Sequence, residues 1–360
     1  MEQTSQRELR QVDPTWTLAE LMAHITKAIT SDGAALALGQ SRYQSVRSKI
    51  AMVIHTSGST GASKEVELSA SALVASAQAS NKYVGATTGM RWSLLLPLTH
   101  IAGINVLVRS IELGTSPIDL RNCVGEYPDS DFTAIVPTQL FRAINGDKNL
   151  LNHLKNAKAV LVGGGKLAAK LKKEATELGI KIIETYGMTE TCGGCIYDGE
   201  PLENISYQIG ADNRIMISGP SLASGYLGEE ELWSASFDGK WFTTSDIGSV
   251  NNGKVEVIGR VDDVVISGGE NISLTSIEAL IKNALPEIEI AAFAIEDLEW
   301  GSAIHLAVVG HKDLEDEIRN LLSSNLGSAA KPKEFHFLDR IPLTPLGKVD
   351  RQSLIEMVSK

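Results

Sequence analysis

The sequence has few cysteines, no excess of positive charge and no long apolar run. Three cysteines in 360 residues are too few for a disulfide framework, so we expect a reducing, cytoplasmic setting. Acidic residues outnumber lysine and arginine by 44 to 33, and the net charge of −11 argues against a nucleic-acid-binding surface. No apolar run approaches the roughly 18 residues that span a bilayer, so we expect no membrane association. A hydrophobic content of 43% is enough for a sizeable core in one large domain or two.

Signals for targeting and for zinc binding are also weak. Residues 1–11 are polar and mixed in charge, which does not indicate a signal peptide. Cys192 and Cys195 form a C-x-x-C, which is typical of a redox pair or half of a zinc site. A zinc site needs a second ligand pair, and we expect none. We favour the other interpretation, in which the two cysteines are small residues that line a pocket beside residues 186–190.

A Walker A sequence is missing as well, but a different phosphate-binding pattern is present. A run of small, hydroxylated residues follows the apolar run Ala51–Ile54, a predicted strand, and precedes Ser69, a predicted helix N-cap. Glycines let the backbone approach a ligand closely, while hydroxyl and N–H groups donate to anionic oxygens. The pattern favours a phosphate loop between a strand and a helix over an ordinary Gly/Ser turn. Its candidate ligands are Thr56, Ser57, Gly58, Ser59, Thr60, Gly61 and Lys64.

This stretch resembles the phosphate loop of the acyl-adenylate-forming (AMP-binding) enzymes. Four further segments match that family in the same order, at residues 186–190, 244–246, 259–263 and 345–348. Each match alone is weak or moderate, but five in order are specific. The resemblance implies that ATP and CoA are co-substrates, that Mg²⁺ is the metal cofactor, and that the substrate is a small-molecule carboxylate. It implies AMP and pyrophosphate as products.

The reaction explains why these residue types are needed. A carboxylate must attack a phosphate that is also negative, so the protein has to supply positive charge, metal and alignment. By resemblance, Glu190 holds Mg²⁺, the Thr189 hydroxyl binds the α-phosphate, Lys348 is the catalytic lysine of adenylation, and His100 closes the carboxylate pocket. Asp246 and Arg260 would bind the ribose, although lone charges are usually solvated. The remaining nucleotide-binding residues that the resemblance implies are Gly163, Gly164, Gly165, Tyr186, Gly187 and Met188.

The order of apolar and helical patterns predicts an α/β fold with two domains. We expect an AMP-binding domain over residues 1–260, with mainly parallel layered sheets and a small β subdomain near 194–258. A mobile α+β domain follows over 261–360, and the resemblance places a hinge at Asp262. Gly268 and Gly269 would line the path of the CoA thiol, or form a plain hairpin turn. Larger family members have a longer N-terminal region, so we expect a short form.

The acid itself is suggested by the segments 97–110 and 186–195 and by the short chain. These features most resemble the o-succinylbenzoate–CoA ligases of menaquinone synthesis. Because that substrate has two carboxylates, a cation in the pocket would help, and Arg109, Gly193 and Gly194 are the candidate acyl-binding residues. Arg109 could instead pair with an acid or snorkel. A ligase or adenylating enzyme for another acid, and a non-catalytic protein of the same fold, stay open, as does a homo-oligomer.

Overall fold

The computed structural model describes residues 5–57, 63–268, 270–297, 300–310, 314–343 and 349–358. The helices are α1 (Leu18–Ile29), α2 (Ala70–Tyr83), α3 (Ile101–Glu112), α4 (Pro137–Ile144), α5 (Lys148–Asn156), α6 (Ala169–Glu177), α7 (Glu230–Ser234), α8 (Leu274–Ala284), α9 (Glu315–Leu326) and α10 (Arg351–Val358). None of the helices in these ranges is long and apolar enough to cross a membrane.

The strands account for most of the rest. They are β1 (Gln6–Gln11), β2 (Ala35–Leu38), β3 (Ser45–Arg47), β4 (Ile50–Ser57), β5 (Ser63–Ser69), β6 (Trp92–Leu94), β7 (Ile118–Asp119), β8 (Phe132–Ile135), β9 (Ala159–Val162), β10 (Ile182–Met188), β11 (Gly193–Tyr197), β12 (Glu200–Pro201), β13 (Ser206–Ile209), β14 (Arg214–Ser218), β15 (Gly225–Tyr226), β16 (Phe242–Asn251), β17 (Lys254–Arg260), β18 (Val264–Ser267), β19 (Glu270–Ser273), β20 (Glu289–Asp297), β21 (Gly301–Val309) and β22 (Glu334–Phe337).

The chain divides into two compact units. The first comprises Met1–Gln208, Met216–Thr244 and Val250–Glu256, and the second comprises Ile209–Ile215, Ser245–Ser249 and Val257–Lys360. A four-stranded sheet has the order β13-β14-β16-β17, in the part of the sequence predicted to be a β subdomain. The predicted division at residue 260 stays a prediction.

The first sheet of the first unit corrects one expectation from the sequence. Its order is β15-β5-β4-β2-β1-β3, and only the pairs β4–β2 and β2–β1 are parallel. The phosphate-loop stretch was expected to join a strand to a helix, but it joins β4 to β5 in an antiparallel hairpin. Lys64, Val66 and Leu68 are every second residue of this segment, and a period of two is typical of a strand. Val66 and Leu68 are fully buried, which explains why the segment forms a strand rather than a helix.

The second sheet is closer to the predicted parallel arrangement. Its order is β12-β11-β10-β9-β8-β6-β7, and it is parallel from β10 to β7. Helices α4, α5 and α6 bury Leu140, Leu154 and Ala175 against Val160 and Val162 of β9. The helices α3, α4 and α6 fall between strands of this sheet in the chain, as the predicted alternation of apolar and helical patterns requires. The α/β fold class is therefore confirmed, with mixed sheets.

The second unit is a sheet covered on both faces. Its strand order is β19-β18-β21-β20, and β22 pairs with β21. Because side chains alternate along a strand, Ile304 and Leu306 face α8 and α9, while Phe293 and Ala307 face α10 and its Leu354. The strands and helices predicted for this segment are present, which makes it the small α+β element expected from the sequence.

Candidate functional site

The two ends of the predicted phosphate loop are held together by strand pairing in the first unit. Thr56 pairs with Lys64, and Ser57 pairs with Ser63, at the end of the β4–β5 hairpin. Thr56 and Lys64 are both half-buried. The strand pairing therefore brings the first and last candidate phosphate ligands, Thr56 and Lys64, side by side.

Tyr226 connects this hairpin to Glu190, and sequence reasoning missed it. The Tyr226 hydroxyl donates to Oε1 of Glu190 at 2.9 Å. Nζ of Lys64 lies 4.9 Å from the centroid of the Tyr226 ring. Tyr226 itself is held in β15, which pairs with β5 beside Val66. Burial, and then the Glu190 carboxylate, raise the pKa of the Tyr226 phenol above its ordinary value, so the hydroxyl stays protonated and remains a donor. The sequence signal was weak, since β15 has only two residues.

Glu190 lies in a short turn at the end of β10. The 3-10 turn Thr189–Thr191 follows the strand, and Thr189 and Glu190 are half-exposed while Thr191 is buried. The Met188 N–H donates to Thr191 Oγ1 at 2.9 Å, and Oγ1 donates to the Gly193 carbonyl at 2.7 Å. The Ala223 N–H donates to the Glu190 carbonyl at 2.8 Å. These bonds fix the turn, so Thr189 and Glu190 are presented by a rigid backbone.

Two glycines around this turn are required by close packing. Gly187 of β10 lies against β11, and a Cβ there would collide with the backbone of Gly193. Gly193 has φ of +90°, and a Cβ on it would collide with the Asn105 amide. Tyr186 is half-buried next to a register shift in the β10–β11 pairing. Packing therefore accounts for the glycines at 187 and 193, and the roles of Gly193 and Gly194 toward an acyl group stay predictions.

The glycine triplet 163–165 forms the turn after β9. Gly164 has φ of +77°, and a Cβ on Gly163 would collide with Thr185 of β10. Close packing and the positive φ therefore account for the glycines at 163 and 164. A turn without side chains leaves backbone accessible at the carboxyl end of a parallel strand, where ligands of α/β sheets bind. The adenine-binding role of the triplet stays a prediction.

His100 and Arg109 lie at opposite ends of one buried helix. His100 is the N-cap residue of α3 and is half-buried. Arg109, in the last turn, is 4% exposed, so it does not snorkel to the surface. One of its terminal nitrogens donates to the Tyr197 hydroxyl at 3.2 Å, and the guanidinium carbon lies 4.9 Å from the centroid of the Trp92 ring. In the described ranges no carboxylate pairs with Arg109, and its Nε has no hydrogen-bond partner.

The second unit brings two predicted ribose ligands together. Asp246 is on β16, Arg260 is at the end of β17, and their Oδ1 and Nη1 atoms are 3.2 Å apart. Asp246 is buried, whereas the side chain of Arg260 is partly exposed. Asp262 lies in the turn Val261–Asp263 that follows. Gly268, with φ of +58°, begins a two-residue turn between Ser267 of β18 and Glu270 of β19, so the hairpin interpretation fits.

Arg351 anchors the start of α10, and sequence reasoning missed it too. Its Nη1 lies 3.1 Å from Asp263, its Nη2 donates to Glu278 at 2.8 Å, and its Nε donates to the Ala292 carbonyl at 2.8 Å. Burial raises the pKa of Glu278, and Arg351 opposes that shift. An antiparallel bridge joins residues 343 and 349. The predicted catalytic Lys348 lies outside the described residues, next to residue 349 in the sequence.

The cysteines of the C-x-x-C are packing residues. Both are free and fully buried around β11. Burial raises the pKa of both thiols, in the case of Cys195 to about 12. A protonated thiol is a poor nucleophile and a poor metal ligand. Burial of both thiols therefore argues against a redox pair or a zinc half-site, and the pocket-lining role stays a prediction.

Comparison with known proteins decides the family. The model for "AMP-binding enzyme" matches residues 4–227, and the model for "AMP-binding enzyme C-terminal domain" matches residues 276–348. The chain belongs to the AMP-binding enzyme family. A probable 2-succinylbenzoate–CoA ligase of Mycobacterium tuberculosis is 33% identical over 325 residues, which cover 85% of this chain and 84% of the relative. The 2-succinylbenzoate–CoA ligase of Bacillus pumilus is 31% identical over 84% of this chain and 68% of the relative.

A solved structure agrees with these relatives. It is o-succinylbenzoate CoA synthetase from Bacillus subtilis in complex with its acyl-adenylate intermediate, with a TM-score of 0.75 and 26% identity. The match covers 96% of this chain and 78% of that one. Of the residues that the sequence assigned to this AMP-binding enzyme, six lie outside the described residues, namely Gly58, Ser59, Thr60, Gly61, Gly269 and Lys348.

Proposed function

We propose that this AMP-binding enzyme is an o-succinylbenzoate–CoA ligase. It activates the acid with ATP to an acyl adenylate, releases pyrophosphate, and transfers the acyl group to CoA with release of AMP. The observation that carries the proposal is the similarity to ligases of that name across both family segments, at 33% identity over 84% of the relative's length. The acyl-adenylate complex of the Bacillus subtilis structure supports the same two-step reaction.

The first step depends on Lys64, Tyr226 and Glu190, among which Tyr226 contacts both of the other side chains. The donor set fits Mg²⁺, which prefers one or two carboxylates together with phosphate oxygens, and Glu190 would hold it. Mg²⁺ supplies positive charge to the phosphate oxygens and thereby lowers their repulsion of the incoming carboxylate. The hydroxyl of Tyr226 fixes one carboxylate oxygen of Glu190. Lys64, at the end of the phosphate loop, adds a second positive charge, and the Thr189 hydroxyl donates to the α-phosphate.

We assign the remaining roles in the reaction to residues of the second unit. Asp246 accepts hydrogen bonds from the ribose hydroxyls, and Arg260 binds the same ribose. Lys348 donates to the charge that develops between carboxylate and α-phosphate. Residues 261–360 rotate about Asp262 between the two steps, which removes Lys348 after adenylation and brings the turn at Gly268 and Gly269 to the CoA thiol. The buried contacts of Arg351, three residues after Lys348 in the sequence, support this role, because a catalytic group needs a rigid attachment.

Arg109 supports the choice of a dicarboxylic acid. A buried cation without an acidic partner is costly, and a substrate anion beside it would lower that cost. Arg109 is in this condition in the described part of the chain. We assign to it the recognition of the carboxylate of o-succinylbenzoate that is not activated. His100, at the other end of α3, closes the pocket around the carboxylate that reacts.

Thioester formation from ATP, CoA and a panel of acids tests the proposal. We expect o-succinylbenzoate to be preferred over its analogue in which the non-reacting carboxylate is a methyl ester. In Arg109→Met the preference should fall by about tenfold or more, since a charge-assisted hydrogen bond contributes roughly 1.5–3 kcal/mol. Arg91→Met, an exposed arginine, is the matched control. Equal use of both acids by the wild type, or a preference for an unrelated acid, would overturn the assignment.

A further inference from the structure

The second unit contains a cluster of metal-ligating side chains that the proposed reaction does not use. His305 is on β21, and Glu334 and His336 are on β22. The two strands are parallel, with His305 opposite Glu334 and Ala307 opposite His336. Because side chains alternate along a strand, this register puts all three on the sheet face that α10 covers. Neither the motifs of the family nor the ATP reaction accounts for them.

The distances within the cluster suit a small cation. Nδ1 of His305 and Nε2 of His336 are 2.9 Å apart, and Oε2 of Glu334 lies 3.8 Å from the former and 4.0 Å from the latter. A triangle with these sides has a circumradius of about 2.1 Å. A point in its centre is therefore about as far from each atom as Zn²⁺ is from imidazole nitrogens and carboxylate oxygens, at roughly 2.0–2.2 Å.

The surroundings hold the two histidines in place. His305 is buried, and the rings of both histidines lie 5.5 Å from the Phe293 ring, which limits their rotation. Each of the three side chains offers one ligand atom, and these atoms lie close enough together to bind one ion. Glu334 is exposed and supplies the negative charge from the solvent side. A hydrogen bond between the two histidines is the alternative that needs no metal.

We propose that His305, Glu334 and His336 form a binding site for a divalent transition-metal ion, with Zn²⁺ as the expected occupant. Two imidazoles and one carboxylate are a donor set that zinc accepts, whereas Mg²⁺ prefers oxygen ligands. Three protein ligands leave a fourth position for water. The ion joins β21 to β22 and so stabilises the second unit in proportion to its occupancy. This site is separate from the Mg²⁺ requirement of the ligase reaction.

The test is zinc binding to the full chain after treatment with a chelator. Calorimetric titration with ZnCl₂ should give one equivalent bound to the wild type, and Co²⁺ in its place should give the visible absorption of a four-coordinate site. Glu334→Gln should weaken binding by roughly tenfold or more, because loss of a ligand matters at least as much as loss of its outer-shell partners. His336→Gln should do the same, while Gln can still accept the hydrogen bond from His305.

The control variant removes one negative charge near the cluster, as Glu334→Gln does, but leaves all three proposed ligands intact. Glu315 lines the same surface groove as Glu334 and His336, so Glu315→Gln removes one charge nearby. It should bind zinc like the wild type. Each variant is checked for adenylation activity, which a folded chain retains. No zinc binding by the wild type, or equal binding by wild type, Glu334→Gln and His336→Gln, would overturn the proposal and leave a hydrogen-bonded histidine pair.

Discussion

Replacing Arg351 with Met should destabilise the second unit far more than its position on the last short helix suggests. Met keeps the unbranched apolar part of the side chain and removes three donors. Two of these serve Asp263 and Glu278, whose side chains are 15% and 13% exposed, and the third serves the Ala292 carbonyl. The substitution therefore leaves two nearly buried carboxylates and one carbonyl without this partner.

The magnitude follows from that loss. Removing one partner of a buried ion pair costs about 3–5 kcal/mol, and the Arg351 side chain is 24% exposed, so water replaces part of what is lost. We expect a loss of about 2–3 kcal/mol in the free energy of unfolding. For a unit of this size, that lowers the unfolding temperature by roughly 10–20 °C. The matched control is Arg340→Met, since Arg340 is exposed, and it should shift the transition little.

The pH dependence identifies the cause. Burial already raises the pKa of Glu278 above its ordinary 4.5, and without Arg351 that pKa rises further. The native variant then binds more protons than its unfolded chain between pH 4.5 and the raised pKa, so its stability falls as pH rises through this window. Calorimetric unfolding should therefore show the largest gap to the wild type near neutral pH and a smaller one near pH 5. A gap equal to that of Arg340→Met, or one independent of pH, would refute the reasoning.

Three further predictions concern the site and its surroundings. Lys348→Ala should lower adenylation by about 10²–10³ or more, yet still convert supplied acyl adenylate and CoA to thioester, which separate assays of pyrophosphate release and thioester formation measure; equal loss in both would exclude the catalytic role. Tyr226→Phe keeps the ring beside Lys64 but removes the donor to Glu190, and it should raise the Mg²⁺ concentration for half-maximal activity by about tenfold; an unchanged Mg²⁺ curve would count against a positioning role. Alkylation of the native protein should label Cys123 alone, because burial raises the pKa of the other two thiols, and rapid labelling of three thiols would contradict this.

Sequence reasoning was most successful where one local pattern dominates. Ser69 was predicted to be a helix N-cap, and it caps α2 by accepting from the Ala72 N–H. Sequence reasoning failed in residues 63–69, where it missed the strand that precedes this helix and has a period of two. We expected the sequence to contain no second pair of zinc ligands, and this was wrong. His305 and His311 are separated by five residues, and this H-x₅-H spacing is one that zinc ligands use. His311 lies outside the described residues.

The sequence by itself determined the family, the order of the motifs and the residue types that the chemistry needs. These follow from short segments, in which a glycine, a hydroxyl or a carboxylate has the same chemical use wherever the chain goes. Only the tertiary structure decided which distant residues meet. It paired Tyr226 with Glu190, Asp246 with Arg260, and Arg351 with Asp263 and Glu278. Such contacts depend on strand order and register, which are set by burial of whole faces against one another and leave no mark at a fixed spacing in the sequence.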